Sequence, residues 1–440
     1  MKQLKLIIII SIATILSNNL NGQIFQDVDE YVDGLKSASI PLLDYSDISN
    51  EPVKYVRVNV IFLHKDDGTG GFQPNDPYIS DRISSSNYLM ANIQSGYDPV
   101  CYSGSSGTLS DSKIQFDYNF IYINDSCAWD VGGPICSSLP GNLVALNNSI
   151  NNSSPYPAIN MFYTEDYDSY EDIVVNQNCN TIHNIPNVSC THMPSSYNMN
   201  YDQTVHMRGF FTKYYWMMNC VVGNPDYGSP NQQTVYNWLE PGRTEAHELA
   251  HNLGLGDIHK SNCDCTEHLM MHNGNCGARG NFLSPDEIAD MHKSLSQTSA
   301  RRFVTETTYS STPIQVNQNT SWSSSLRIYR GLNICNGATI QVNSELIIPS
   351  ETDIVVTSYS TFSASGATIH TPHTNSTLDL TVQQSSCVSL INSSIENCNV
   401  SVQSGSLTLT NSTIELGNNS IFSVTLGATL TVGSGSIISL

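Results

Sequence analysis

A short motif recurs in the last third of the chain and constrains its fold more than any other feature of the sequence. Tetrads of the form Gly-Ala-Thr-Ile or Gly-Ala-Thr-Leu begin at Gly337, Gly366 and Gly427, among β-branched runs and turns rich in Gly, Asn and Ser. Their spacing of roughly 20 to 30 residues suits the turns of a parallel β-solenoid. A β-sandwich is the competing fold. We predict an all-β tail over residues 326–440, joined by a linker over 301–325.

The tail gives little indication of chemistry. Lysine disappears beyond Arg302, acidic residues become rare, and no aromatic cluster suited to sugar stacking is present. A passive stalk is therefore the favoured interpretation, and contact with a surface or a glycan is the functional alternative.

The N-terminus has the pattern of an export signal. Lys2 and Lys5 precede an apolar run from Leu6 to Leu16, which is shorter than the roughly 20 residues that cross a bilayer. We predict a signal peptide over residues 1–22, cleaved after Gly22, and a short prosegment or N-terminal strap over 23–50. The protein is thus expected to be secreted or associated with the cell surface, without a transmembrane segment.

Charge and cysteine content agree with export. A formal net charge of −21 makes nucleic acid an unsuitable partner. Twelve cysteines fit an oxidising compartment, in which most would form disulfides. Nine lie before residue 300 and three after it, so either one bridge joins the two parts or each part keeps a free thiol.

Residues 51–300 have the alternating pattern of a mixed α/β domain. Strands are predicted over Val53–Leu63 and Ile114–Ile123, because apolar and polar residues alternate there, and a third strand is predicted over Ala158–Tyr163. A helix is predicted over Ile79–Ile93. Together they indicate an α/β (α+β) fold with a twisted mixed sheet.

A metal-binding pattern follows these elements. Residues 244–259 read Thr-Glu-Ala-His-Glu-Leu-Ala-His-Asn-Leu-Gly-Leu-Gly-Asp-Ile-His, and a helix is expected to start near Thr244 as its N-cap. His247 and His251 are four residues apart, so both imidazoles project from one face, as chelation of a single Zn²⁺ requires. Four apolar residues on the opposite face are expected to be buried: Ala246, Leu249, Ala250 and Leu253.

Two neighbours of the histidines fit metal-assisted hydrolysis. Glu248 would lie beside the metal, where its carboxylate can take a proton from the attacking water and later pass one to the leaving amine. Gly254 tolerates the left-handed conformation in which a helix ends and reverses. Such a reversal would bring a third ligand, at position 257, back to the metal.

The identity of the third ligand stays open. Asp257 is favoured, because carboxylate coordination of zinc is ordinary. His259 is the rival, since Gly256 would let the loop shift by two residues. Glu267 is a weaker candidate.

Downstream, Leu269-Met270-Met271-His272 precedes a second helix start. Ser284 is a suitable N-cap, Pro285 occupies the first helical position, and Glu287 completes a capping box. A buried stripe is predicted along this helix at Ile288, Met291 and Leu295.

The arrangement from about Thr244 to Leu295 resembles the metzincin zinc proteases, in particular the pappalysin and cytophagalysin family. In that family HExxHxxGxxH is followed by a methionine turn, a cysteine and a C-terminal helix. The resemblance implies that His247 and His251 bind zinc, that Glu248 is the base, and that Met270 is a structural residue beneath the metal. Asp257 departs from the family's histidine. His272 stands where related enzymes commonly carry a tyrosine, so an imidazolium there would stabilise the oxyanion, or the residue is an exposed turn histidine.

The expected activity is zinc-dependent hydrolysis of internal peptide bonds in an extended polypeptide, which would pair with the strand around Ala158–Tyr163 as a sheet edge. The alternative is a surface or adhesion protein whose metzincin-type domain has lost activity. One catalytic zinc ion is implied. Asp66 and Asp67 beside Gly68 suggest either a structural Ca²⁺ site or an ordinary acidic turn, and the latter is favoured.

Overall fold

The structure is a computed structural model, which describes residues 48–69, 77–94, 109–126, 146, 149–150, 158–164, 189–190, 211–213, 242–255, 268–270, 280–305 and 310–440 without 374–375. These residues form two compact units, one within 56–292 and one that combines 48–55 with 293–440. The predicted signal peptide lies outside the described residues. Within the described part, no helix is long and apolar enough to cross a membrane.

The elements of the first 300 residues follow the predicted order. The helices are α1 (Pro77–Ala91), α2 (Arg243–Asn252) and α3 (Pro285–Gln297), and a 3-10 helix covers Ser299–Arg302. The strands are β1 (Lys54–His64), β2 (Ile114–Asn124), β3 (Ile159–Thr164), β4 (Ser189–Cys190) and β5 (Phe211–Lys213). The three predicted strands and the helix over 79–93 are confirmed, with ends displaced by one or two residues.

These strands form a mixed sheet in the order β2-β1-β3-β5-β4. β3 pairs in parallel with β1 and β5, while β4 runs antiparallel to β5. The prediction that Ala158–Tyr163 forms a sheet edge is therefore wrong, because β3 has a neighbour on each side. An extended substrate cannot add to it, and the ends of the strand order are β2 and β4.

Side-chain amides hold the elements of this unit in place. Asn59 Nδ2 on β1 donates to Asn160 Oδ1 on β3, at 2.8 Å. The side-chain amide of Asn87 on α1 makes two hydrogen bonds to the backbone of Phe116 on β2, as a residue of a neighbouring strand would. Its Nδ2 donates to the Phe116 carbonyl at 2.8 Å, and its Oδ1 accepts from the Phe116 amide at 2.7 Å. The paired hydrogen bonds fix α1 against the sheet, with Leu89 and Met90 buried.

The tail is a parallel β-solenoid, as the recurring tetrads predicted, and the structure shows that it has three faces. After β6 (Val304–Thr305), the first face contains β7 (Ser310–Val316), β10 (Arg330–Ile334), β13 (Asp353–Val356), β16 (Leu378–Val382), the last part of β18 (Ser394–Val402) and β21 (Phe422–Val424). The second contains β8 (Thr320–Trp322), β11 (Thr339–Val342), β14 (Thr361–Ser365), β17 (Cys387–Ile391), β19 (Ser406–Thr410) and β22 (Thr429–Val432). The third contains β9 (Leu326–Arg327), β12 (Leu346–Ile347), β15 (Thr368–His370), the first part of β18, β20 (Thr413–Leu416) and β23 (Ile437–Ser439).

Inward-facing apolar residues stack from turn to turn. On the first face Leu332, Ile354, Leu380 and Val400 are register partners and are buried. Stacked partners are separated by 18 to 26 residues along the chain. Parallel pairing on every face of the described solenoid excludes the β-sandwich alternative.

The tetrads mark corners of the solenoid. Gly337, Gly366 and Gly427 have positive φ of 74°, 65° and 92°, a conformation that glycine adopts without strain. The first and third tetrads open strands of the second face, whereas the middle one opens β15 of the third face. The motif therefore encodes a corner followed by a strand rather than a fixed position in the turn.

Strand β18 is shared between two faces. Its first residues pair with β15 and β20, and its last residues pair with β16 and β21. The register shifts between Ile395 and Cys398, where Asn397 has a positive φ of 51°. The chain thus turns this corner without leaving the strand.

The range predicted as a linker, 301–325, contains β6, β7 and β8, of which β7 and β8 belong to the first turn of the solenoid. The tail cysteines also differ from the expectation of paired thiols. Cys335, Cys387 and Cys398 are free, and burial raises the pKa of the Cys398 thiol to about 12. The side chains of the other nine cysteines lie outside the described part of the chain.

A partly buried charge cluster of Arg301, Glu345 and His370 makes the stability of the solenoid depend on pH. Glu345 accepts from Arg301 Nη2 at 2.8 Å and lies 3.4 Å from His370 Nε2. The contact with His370 and those with Arg301 together outweigh burial and lower the pKa of Glu345 to about 2. Burial opposes the charge on His370, but Glu345 and the Thr371 carbonyl raise its pKa overall.

We expect the solenoid to be most stable between about pH 4 and 7. The Glu345 contribution is present above its unfolded pKa of about 4.3 and is lost as the pH falls toward 2. The His370 contribution is complete below about pH 6.5 and is lost as the pH rises through the folded pKa. Hydrogen exchange of the backbone amides in solenoid peptides, followed from pH 3 to 9, measures the loss of stability on the acid side and on the alkaline side (the two limbs of the curve). His370→Gln should flatten the alkaline limb, and an unchanged alkaline limb in this variant would contradict the assignment.

Candidate metal centre

The start of α2 is fixed by a close approach of two helices. Gly242 has a positive φ of 83°, and a Cβ there would overlap the backbone of Ser85 and Ser86 on α1. Its carbonyl accepts the first helical hydrogen bond from Ala246 N, at 2.8 Å. The helix therefore begins at Arg243, one residue before the predicted N-cap, and Thr244 is already helical.

The apolar face of α2 is buried as predicted, and Ala246, Leu249, Ala250 and Leu253 are all inaccessible to solvent. A polar contact adds to it. Tyr163 Oη on β3 donates to Glu245 Oε1 at 3.1 Å, and both side chains are buried. The contact ties the first turn of α2 to the centre of the sheet.

The end of α2 also follows the prediction. Gly254 has a positive φ of 98°, and Leu255 N donates to the carbonyl of Ala250 at 3.1 Å. A six-residue bond of this kind around a left-handed residue is the Schellman motif. The chain reverses directly after the helix, in the place where the sequence required it.

His247 is held in one orientation by a backbone carbonyl. The side chain is 2% exposed, and its Nδ1–H donates to the carbonyl oxygen of Leu269 at 2.8 Å. In the neutral imidazole this leaves the lone pair on Nε2, the nitrogen then suited to a metal. Met270, the next residue after Leu269, is fully buried.

The remaining predicted site residues lie outside the described part. The side chains of Glu248 and His251 are among them, although both residues belong to α2. Asp257, His259, Glu267 and His272 fall in the ranges 256–267 and 271–279, which are not described. Within the described residues, no three His, Cys, Asp or Glu side chains come together as a metal-binding group. Of the predicted site residues, the structure describes His247 and Met270, which are buried, and Gly254, which has a positive φ.

The start of α3 contains the predicted capping box. Ser284 N donates to Glu287 Oε2 at 2.8 Å, and Glu287 N donates to Ser284 Oγ at 3.2 Å. Ile288, Met291 and Leu295 are buried. These bonds confirm the predicted capping box. The prediction was possible because a capping box is encoded within four consecutive residues.

The other polar candidates serve the fold. Asp67 Oδ1 accepts from Thr69 N and Oγ1, and Asp66 Oδ1 accepts from Ser126 N. These hydrogen bonds support the interpretation of Asp66 and Asp67 as an ordinary acidic turn rather than a calcium site. His64 is buried and stacks on Tyr122, as expected of a core histidine.

Three contacts at the site were not foreseen: the Leu269 carbonyl on His247, the Tyr163 hydroxyl on Glu245, and the pairing of His268 with Glu287. The first involves a backbone atom, which leaves no signature in the sequence. The second joins residues 82 positions apart.

Comparison with known proteins gives no family assignment. No protein-family model matches the chain, and no curated protein matches it.

Proposed function

We propose that the protein is a secreted, zinc-dependent endopeptidase of the metzincin type. The observation that carries the proposal is the buried His247, whose ring is oriented by the Leu269 carbonyl beside a buried Met270. A histidine held through Nδ1 by a backbone carbonyl is the usual arrangement of a structural or catalytic zinc ligand. The helix reversal at Gly254 supports a further ligand from the following loop.

His247 and His251 would hold the zinc ion with Asp257, for which His259 is the alternative. Both histidines come from α2, so the rigid helix sets their separation. A bound zinc ion lowers the pKa of water to about 7 and polarises a carbonyl. Tyr163 would keep α2 in place on the sheet through Glu245.

Glu248 would carry the proton transfers. It directly follows His247 on α2, and next to the ligand pair it would take the proton of the attacking water and pass it to the leaving nitrogen. His272 would donate to the oxygen of the scissile carbonyl. An extended polypeptide remains the proposed substrate, and it would bind at a sheet edge other than β3.

The signal-like N-terminus supports export, and the acidic charge of the chain supports a protein substrate over nucleic acid. For the solenoid we propose the role of a spacer. Among the described solenoid residues, Tyr359 is the only aromatic side chain with large exposure, which gives a sugar ring no paired platform.

Metal analysis of the purified mature chain tests the proposal. We expect about one zinc per chain and cleavage of casein that stops when a chelator removes the metal. His247→Ala should abolish both zinc binding and cleavage. A chain without zinc, or cleavage that survives the chelator, would contradict the proposal.

His292→Ala is the matched control. His292 is buried in the same unit, and its Nε2 also donates to a backbone carbonyl, that of Ser112, at 2.8 Å. Its replacement should destabilise the domain to a similar extent while the folded protein still binds zinc. Equal loss of zinc in both variants would show that the effect of His247→Ala is one of folding.

A further inference from the structure

The segment that orients His247 is anchored on the strand-like residues before α3. Leu269 N donates to the carbonyl of Phe282 at 3.0 Å, and His268 forms an isolated parallel bridge with Phe282. Leu269 and Phe282 are both buried. The Leu269 carbonyl that accepts the hydrogen bond from His247 therefore belongs to a segment held by backbone hydrogen bonds.

His268 holds the same segment from its side chain. The ring is 2% exposed and packs edge-on against Phe282, with ring centroids 5.3 Å apart. Its Nδ1 accepts from Met270 N at 3.1 Å, so Nδ1 carries no proton. Its Nε2 lies 3.0 Å from Glu287 Oε2. The ring is thus hydrogen-bonded to the backbone at Met270 through Nδ1 and contacts the Glu287 carboxylate through Nε2.

Glu287 is in turn fixed by the start of α3. The Oε2 atom that faces His268 also accepts from the amide and the hydroxyl of Ser284, both at 2.8 Å. Burial opposes the negative charge, but the contacts with His268 and Ser284 outweigh it and lower the pKa of Glu287. The carboxylate is therefore charged at neutral pH, and its Oε2 atom is held by two hydrogen bonds from Ser284.

From these contacts we infer that His268 and Glu287 are positioning residues for the zinc ligand His247. The capping box holds Glu287, Glu287 holds His268, and His268 holds the turn whose Leu269 carbonyl orients the imidazole. The inference rests on the proposed function, because it assigns these residues a role in metal affinity. A capping box satisfies the backbone donors at the start of its own helix; here the capping carboxylate also contacts His268, in the segment that includes Leu269.

Zinc affinity tests the inference. His268→Ala and Glu287→Ala should weaken zinc binding to the full chain by about 10- to 100-fold, as loss of an outer partner of a ligand typically does. Glu287→Gln should bind zinc nearly as the parent does, because its amide oxygen can still accept from Ser284 and face His268. Competition with a chromophoric chelator gives the dissociation constants. The visible spectrum of the cobalt-substituted chain gives a second readout, and it should change in His268→Ala but not in Glu287→Gln.

Met291→Ala controls for general destabilisation. Met291 is buried on α3, one turn after Glu287. It takes no part in the contacts to residues 268–270 described above. This variant should lower the unfolding temperature while the folded protein keeps its zinc affinity. If Met291→Ala weakens zinc as much as His268→Ala, or if His268→Ala binds zinc as the parent does, the positioning role is overturned. A parent chain that binds no zinc would instead overturn the proposed function itself.

Discussion

Replacement of Glu248 by glutamine is expected to lower the rate of peptide hydrolysis by about 10²- to 10⁴-fold, the usual contribution of a general base. Glutamine has nearly the same size as glutamate but cannot take a proton from water. Zinc should remain bound, because Glu248 is not a predicted ligand. Initial rates on a fluorogenic peptide, together with zinc content, measure the two properties separately.

Glu245→Gln is the control on the same helix. Glu245 is buried and accepts from the Tyr163 hydroxyl, and the amide oxygen of glutamine can accept the same bond. This variant should keep most of the activity of the parent. Full activity in Glu248→Gln, or an equal loss in both variants, would remove Glu248 as the base.

Replacement of Phe362 by alanine is expected to destabilise the solenoid by about 3 to 5 kcal/mol. The ring is fully buried on β14 and stacks between its register partners Ile340 and Val388. Its removal leaves a cavity that these strands cannot close, because their backbones are hydrogen-bonded at fixed spacing. Hydrogen exchange of peptides from β11, β14 and β17 in the full-length chain reports the loss locally.

Tyr359 offers a matched aromatic residue three positions earlier, and its side chain is 77% exposed. Tyr359→Ala should change the same exchange free energies by no more than about 0.5 kcal/mol. Equal protection in Phe362→Ala and the parent would mean that the solenoid core does not depend on this ring.

Local patterns in the sequence predicted local structure well. Alternation in Val56, Val58 and Val60 predicted β1, and the Ser284–Glu287 spacing predicted the start of α3. The repeated Gly-Ala-Thr tetrads predicted a solenoid, because a corner and the strand after it are encoded within a few residues. In each case the interactions that decide the structure lie close together along the chain.

Pairing between distant segments was harder to predict. The central position of β3 follows from the strand order, which no short stretch of sequence encodes. The predicted linker over 301–325 contains β7 and β8, whose pairing partners β10 and β11 lie one solenoid turn further along the chain. No local pattern singles out His268, because its contact is with Glu287, nineteen positions later in the sequence.

Strand β18 continues around a corner of the solenoid, and this affects how the solenoid responds to mechanical force. Where two faces are joined by a separate turn, force applied to the strand ladder of one face can break its hydrogen bonds while the ladder of the neighbouring face stays intact. Residues 394–402 allow no such separation, because the same backbone belongs to both ladders. We therefore expect the hydrogen bonds of the two ladders to open together at residues 394–402 rather than one ladder at a time.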